Sequence, residues 1–129
     1  ILQRRSAGVP TPRTQVVLSD TLGEMGLWYH LATWVVVGGS FVPIGGHNPV
    51  EPLLCGKPVV VGPHMHNFTD MMRDLQALAA VTQVAHAKAV VAALGPAQQR
   101  RAIALKPLQG ATSRALRLIE QTLKKAAHE

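Results

Sequence analysis

Residues 35–68 read VVVGGSFVPIGGHNPVEPLLCGKPVVVGPHMHNF, and the fold class is decided here. Two β-branched runs, one over residues 33–37 and one over 57–61, each end at glycine. Their apolarity is continuous rather than alternating, which predicts strands covered on both faces, as in a parallel sheet. Between them lies a glycine-rich polar loop, then a helix expected over residues 48–55 and stopped by Gly56. Strand, loop, helix, strand is a βαβ unit, whose crossover is expected to be right-handed. Six of the eleven glycines and three of the six histidines fall in this stretch, more than a structural linker needs.

Outward from this unit the pattern continues. Upstream, residues 15–18 (QVVL) predict a short buried strand, and Thr21 with Glu24 three residues later predicts a capping box that starts a helix. Met25, Trp28, Leu31 and Ala32 recur at helical steps and predict one buried face. Residues 1–13 carry two prolines and no periodicity, and predict a loop. Downstream, Asn67 is the expected N-cap of a helix over residues 68–78, followed by a strand over 81–84. Helices are expected near 86–94, 97–105 and 112–127, separated by Pro96, Pro107 and Gly110.

The expected fold is therefore α/β, a partial Rossmann-like parallel sheet with flanking helices. Its expected parts are a lead-in loop (1–14), a partial Rossmann-like domain (15–110), to which the resemblance given below assigns nucleotide-sugar donor binding, and a C-terminal amphipathic helix (111–129). Three or four strands are only part of a doubly wound domain. Together with the start at Ile1, this gives the expectation of a piece of a longer protein with earlier strands elsewhere.

The chain has 129 residues and is 47% hydrophobic, enough for one core. No apolar run reaches the ~18–20 residues that span a bilayer. The lone Cys55 forms no internal disulfide, which fits a reducing compartment, and is read as a buried small hydrophobe. The net charge of +6 sits in the flanks: Arg4, Arg5 and Arg13 before the centre, and eight Lys or Arg from Lys88 onward. Aromatics are only 4%, so a nucleic-acid partner is not expected. The flanks suit an anionic membrane surface or a phosphorylated substrate, or are a solvated face. In the last helix Leu116, Ile119, Leu123 and Ala126 share one side and Arg114, Arg117, Lys124 and Lys125 the other. That helix packs on its own or a sister domain, or lays its basic side on lipid.

In open parallel sheets ligands bind beyond the carboxyl ends of the strands. Three loops leave such ends, residues 19–24, 38–48 and 62–67, and are expected to converge on one crevice. Gly45-Gly46-His47-Asn48 runs into a helix start, where free N–H groups and the dipole favour a phosphate. Glu51 either completes a cap with Asn48 or accepts hydrogen bonds from ribose hydroxyls. The motif is neither GxGxxG nor a P-loop. His47, His64 and His66 make a weak metal-ligand set, and no metal or other cofactor is expected.

DTLGEMGLWYHLA (20–32) together with residues 35–68 resembles the 3-deoxy-D-manno-octulosonic acid (Kdo) transferases of lipopolysaccharide synthesis. The resemblance is dense over residues 20–75 and holds in pattern beyond. It implies the carboxy-terminal part of a GT-B glycosyltransferase, with two Rossmann-like domains around a cleft. It further implies transfer of Kdo from CMP-Kdo to a lipid A precursor, without a metal, at the cytoplasmic face of the bacterial inner membrane. Carried over residue by residue, Gly45, Gly46, His47 and Asn48 would hold the CMP phosphate, and Glu51 the ribose. Gly38, Gly39 and Ser40 would line the nucleotide pocket, with Gly23, Glu24 and Met25 near the base. His64, His66 and Asn67 would face the sugar or the cleft. The family's general base, a glutamate of the amino-terminal domain, matches no residue here, so this chain alone is expected to be inactive. The alternatives are another GT-B transferase or an epimerase using a different sugar nucleotide, and a non-catalytic nucleotide-binding or membrane-associating module.

Overall fold

A computed structural model describes residues 1–95 of the chain. The helices expected near 97–105 and 112–127, the amphipathic face among them, lie outside the described residues.

Strands β3 (Val35–Val37), β4 (Val59–Val61) and β5 (Val81–Gln83) form a three-stranded sheet in the order β3-β4-β5. Both pairs are parallel, with Val35 opposite Val59 and Val59 opposite Val81. The continuous valine runs are explained differently for the two strands. β4 is central, and all three of its valines are buried. β3 is an edge strand, and Val36 is exposed. Coverage on both faces therefore holds for β4 and fails for β3, because β3 pairs only with β4 among the described residues.

The core sits on this sheet. Leu53 of α2 (Val50–Leu54) and Met72 and Leu75 of α3 (Thr69–Ala77) are buried with Val37, Val59, Val61, Met65, Ala80 and Val81. Helix α3 ends with Ala79 at φ 51°, and the Ala80 N–H donates to the Leu75 carbonyl at 2.8 Å. That is a left-handed helix stop of the kind glycine usually makes. A short helix α4 (Val90–Ala93) follows a 3-10 turn at Ala87–Ala89.

The amino-terminal part is built otherwise. β1 (Leu2–Arg4) pairs in parallel with β2 (Val16–Leu18) in a separate two-stranded sheet. A strand thus replaces part of the expected lead-in loop. Leu2 and Arg4 are exposed, so β1 leaves no apolar pattern to read, and backbone pairing makes it. Helix α1 (Met25–Leu31) has Glu24 at its N-cap without a side-chain cap bond. The expected capping box at Thr21 is absent, because the Thr21 hydroxyl donates to the Glu24 carboxylate itself. The expected buried face is also absent: no α1 residue is buried, Trp28 and Tyr29 are half-buried, and Met25 and Leu31 are exposed.

Two other expected caps move. Phe68, not Asn67, stands at the N-cap of α3, after a 3-10 turn at His66–Phe68. Pro49, not Asn48, stands at the N-cap of α2. Cys55 is the C-cap of α2 and is only half-buried, so it is not the core residue expected.

Candidate functional site

The carboxyl ends of β3 and β4 are locked together. Gly38–Ser40 turn as a 3-10 unit directly after β3. Ser40 is fully buried, and its hydroxyl donates to the Val37 carbonyl while accepting from the Gly62 N–H at 2.6 Å. The Ser40 carbonyl in turn accepts from the His64 N–H at 2.9 Å. A Cβ on Gly62 would stand 2.4 Å from the Ser40 carbonyl oxygen, a backbone atom that cannot swing away. Gly62 is needed here for close approach.

The loop before α2 rests on this lock. Gly45 and Gly46 lie at φ 97° and 79°, where other residues are strained, and both are buried. Asn67 clamps the loop from the β4 side. Its backbone N–H donates to the Gly45 carbonyl at 3.2 Å, and its side-chain amide donates to the Ile44 carbonyl at 3.3 Å. That is why Asn67 does not cap α3. The N–H groups of Gly45, Gly46, His47 and Asn48 meet no acceptor among the described residues. Unpaired N–H groups in a row at a Gly-Gly turn are a ready anion cradle.

Beside this loop opens a cavity of about 310 Å³. Met25 and Tyr29 of α1 form one wall and Val35, Val36, Val37 and Gly38 another; His47, Asn48 and Pro52 close it. Its volume lies in the range of small-molecule sites. Asn48 Oδ1 accepts from the Val50 N–H at 3.0 Å, and Asn48 Nδ2 donates to Glu51 Oε1 at 3.4 Å. Glu51 is exposed and forms no capping box, so its carboxylate keeps acceptor capacity. Burial pushes the Tyr29 phenol above its usual pKa, and the nearby Glu51 carboxylate and Cys55 add to that shift. Tyr29 therefore stays a neutral donor at the cavity wall.

Among the expected site residues, Met25, Gly38, His47 and Asn48 line this cavity. Gly39 lies under His47, since a Cβ there would stand 2.8 Å from the imidazole. Ser40 is enclosed, with its hydroxyl committed to the backbone. His64 is half-buried behind the Gly46 turn, its carbonyl 3.1 Å from where a Gly46 Cβ would stand. His66 faces elsewhere, into a second cavity of about 340 Å³ with Thr69, Arg73, Gln76 and Gln83. Gly23 is exposed at φ 80°. The Glu24 carboxylate is taken by Thr21 and by an Arg5 ion pair at 2.9 Å, which hold it below the usual carboxylate range. The three loops thus do not meet in one crevice: the second and third interlock, and no residue of the first lines the cavity, which α1 reaches through Met25 and Tyr29. Among the described residues no group of three or more His, Cys, Asp or Glu side chains comes together as a metal site.

Tyr29, Val35 and Pro52 are wall residues that the sequence reading did not select. Tyr29 was within reach, being one helical turn after Met25 on the same side of α1.

No protein-family model matches the chain. It is 47% identical over 87 residues to the 3-deoxy-D-manno-octulosonic acid transferase of Bordetella pertussis, covering 66% of this chain and 20% of that protein. It is 30% identical over 122 residues to the enzyme of the same name from Rickettsia prowazekii, covering 94% of this chain and 26% of that one. Among solved structures, the C-terminal CMP-Kdo binding domain of WaaA from Acinetobacter baumannii superposes with a TM-score of 0.75 at 38% identity. The match covers 84% of this chain and 61% of that domain. The chain belongs to the Kdo transferase family. Its fold is that of the family's carboxy-terminal domain, the α/β half of a GT-B architecture. The chain spans about a fifth to a quarter of the length of these curated Kdo transferases.

Proposed function

We propose that the chain is the donor-binding part of a Kdo transferase, and that the cavity at the end of β3 receives CMP-Kdo. The observation that carries this is a run of N–H groups from Gly45 to Asn48 that meet no acceptor among the described residues, with His47 and Asn48 lining that cavity. In this reading those groups hold the phosphate of CMP. They do so with little help from a helix dipole, since α2 has only five residues and its Val50 N–H is already taken by Asn48. Fixed donors aimed at the leaving phosphate stabilise the charge that grows there as the glycosidic bond breaks. Glu51 accepts from the ribose hydroxyls, Asn48 orients it, and Met25 and Tyr29 meet the base. Gly38 and Gly39 leave room for close approach, Gly45, Gly46 and Ser40 shape the loop, His64 and Asn67 support that loop from behind, and His66, in the second cavity, takes no part. Gly23 and Glu24 act one layer out, by positioning Met25.

The acceptor in this reading is a lipid A precursor at an anionic membrane face. The flanking arginines and lysines support it, although most of the carboxy-terminal ones lie outside the described residues. Among the described residues no helix is long and apolar enough to cross a membrane. The base that activates the acceptor is assigned to no residue of this chain.

Calorimetric titration of the 129-residue chain with CMP, UMP and GMP tests the reading. CMP should bind most tightly. Glu51→Ala should weaken it about tenfold or more, as loss of hydrogen bonds to a charged acceptor does. A preference for UMP, or an unchanged affinity in Glu51→Ala, would count against the assignment.

A further inference from the structure

The cavity at the end of β3 holds one polar side-chain group with no work to do inside the protein. Tyr29, half-buried on α1, is part of the cavity wall, and its hydroxyl meets no partner among the described residues. The phenol stands against α2. Pro52 of α2 lines the same cavity, next in the chain to Glu51. Burial first, then the Glu51 carboxylate and Cys55, raise the Tyr29 pKa, so the group is a neutral hydroxyl with Glu51 nearby. No hydrogen bond joins the two, which leaves room for a third group between them.

A ribose hydroxyl carries one proton and two lone pairs. The ionised Glu51 carboxylate only accepts, so it can take the protons of the diol and offers nothing to its lone pairs. A donor is needed on the same side. Asn48 Nδ2 already donates to Glu51 Oε1 at 3.4 Å, and His47 stands over Gly39. The uncommitted donor among the lining side chains on the α1 side is the Tyr29 hydroxyl. We propose that Tyr29 Oη donates to the 2′-hydroxyl oxygen of the bound nucleotide and makes the site select ribonucleotides over deoxyribonucleotides. This inference rests on the reading of the cavity as the CMP site and names what that site discriminates. The 2′ position is chosen over the 3′ because C2′ adjoins the carbon that bears the base. Tyr29 stands with Met25, one helical turn earlier, at the base end of the cavity. The same hydroxyl does not choose between cytosine and uracil, because it rotates and can donate or accept. It reads presence against absence. A site built to hydrogen-bond a hydroxyl rejects the analogue that lacks it, since its own polar groups are then left unpaired. Tyr29 is thus a specificity-determining residue, with no part in bond breaking.

Calorimetric titration of the 129-residue chain and of Tyr29→Phe with CMP, 2′-deoxy-CMP and 3′-deoxy-CMP tests this. Phenylalanine keeps the ring and loses only the hydroxyl. The parent chain should bind 2′-deoxy-CMP about thirtyfold more weakly than CMP, since bonds to both Tyr29 and Glu51 are lost. Tyr29→Phe should weaken CMP and 3′-deoxy-CMP about fivefold each and leave 2′-deoxy-CMP within about twofold. Equal affinity of the parent chain for CMP and 2′-deoxy-CMP would overturn the inference without any variant. So would an equal loss for all three ligands in Tyr29→Phe, which would mean ring packing. A loss spared in 3′-deoxy-CMP instead of 2′-deoxy-CMP would overturn it too, by placing the contact on the other hydroxyl. Matching urea midpoints separate these losses from unfolding, and the parent-chain comparison decides if Tyr29→Phe does not fold. A parent chain that binds none of the three nucleotides would sink the donor-site reading, and this inference with it.

Discussion

The two halves of the described structure are held by different physics. Around β4, packing dominates: Val60, Val61, Leu75 and Ser40 are fully buried, and the loops after β3 and β4 interlock through backbone atoms. Around β1, β2 and α1 no side chain is buried, and polar ties do the holding. Arg5 pairs with Glu24, and the Ser6 backbone and hydroxyl both donate to Asp20, at 2.9 and 2.7 Å. A ligand loop must be held to a fraction of an ångström, and close packing achieves that. Exposed ion pairs contribute little and respond to pH and salt. The loop and Glu51 of the proposed donor site therefore stand on the close-packed half, while α1 adds Met25 and Tyr29 from the other.

Substitutions can break this contrast. Gly62→Ala should be the most damaging, since its Cβ would meet the Ser40 backbone and the Phe41 ring. A loss of about 3 kcal/mol is expected from such overpacking, read as a fall in the urea midpoint. Ser40→Ala comes next. It leaves the Gly62 N–H buried without its acceptor and should cost about 2 kcal/mol. If Ser40→Ala proved neutral, the loops would not depend on this lock.

Asn67→Ala should cost about 1 kcal/mol or less, because its side-chain bond to Ile44 is exposed. Its larger effect should be on nucleotide affinity, through a looser Gly45–Gly46 turn. An affinity loss no larger than the stability loss would mean that the clamp does not preorganise the site.

The smallest effect is expected from Glu24→Gln, and it sharpens the contrast through pH. Hydrogen bonding from Thr21 and the charge of Arg5 lower the Glu24 pKa. A lowered pKa adds stability above the unfolded value, near 4.3, that is lost as pH falls through the folded value. Asp20, lowered by its bonds from Ser6, has the same sign. Glu24→Gln should thus destabilise slightly at pH 7, and the gap to the parent chain should close below about pH 4. A gap that persisted at pH 3 would mean that packing, not charge, holds this half.

Legibility in the sequence follows the same division. The valine runs, the alternation of strand and helix, and the parallel sense could all be read, because burial on β4 leaves a pattern in residue type. β1 could not, since its residues are exposed and its pairing uses only the backbone. The cap expected at Asn67 fails because its amide donates to the Ile44 carbonyl instead, whereas Asn48, one residue before the helix boundary at Pro49, still accepts from the Val50 N–H as a cap does. Of the site, the Gly45-to-Glu51 segment is legible, and so is the helical spacing that puts Tyr29 beside Met25, whereas which strand α1 turns that side to depends on how it crosses the end of β3.

Back at residues 35–68, the sequence alone determined that two apolar strands flank a glycine-rich polar loop, and residue chemistry is enough for that. Only the tertiary structure decided which glycines are indispensable, which histidine lines the cavity and which faces away. It also separated the serine that ties the loops together from the residues open to a ligand. Those outcomes depend on distances between segments far apart in the chain, such as Ser40 to Gly62 and Gly45 to Asn67, and no local pattern encodes them.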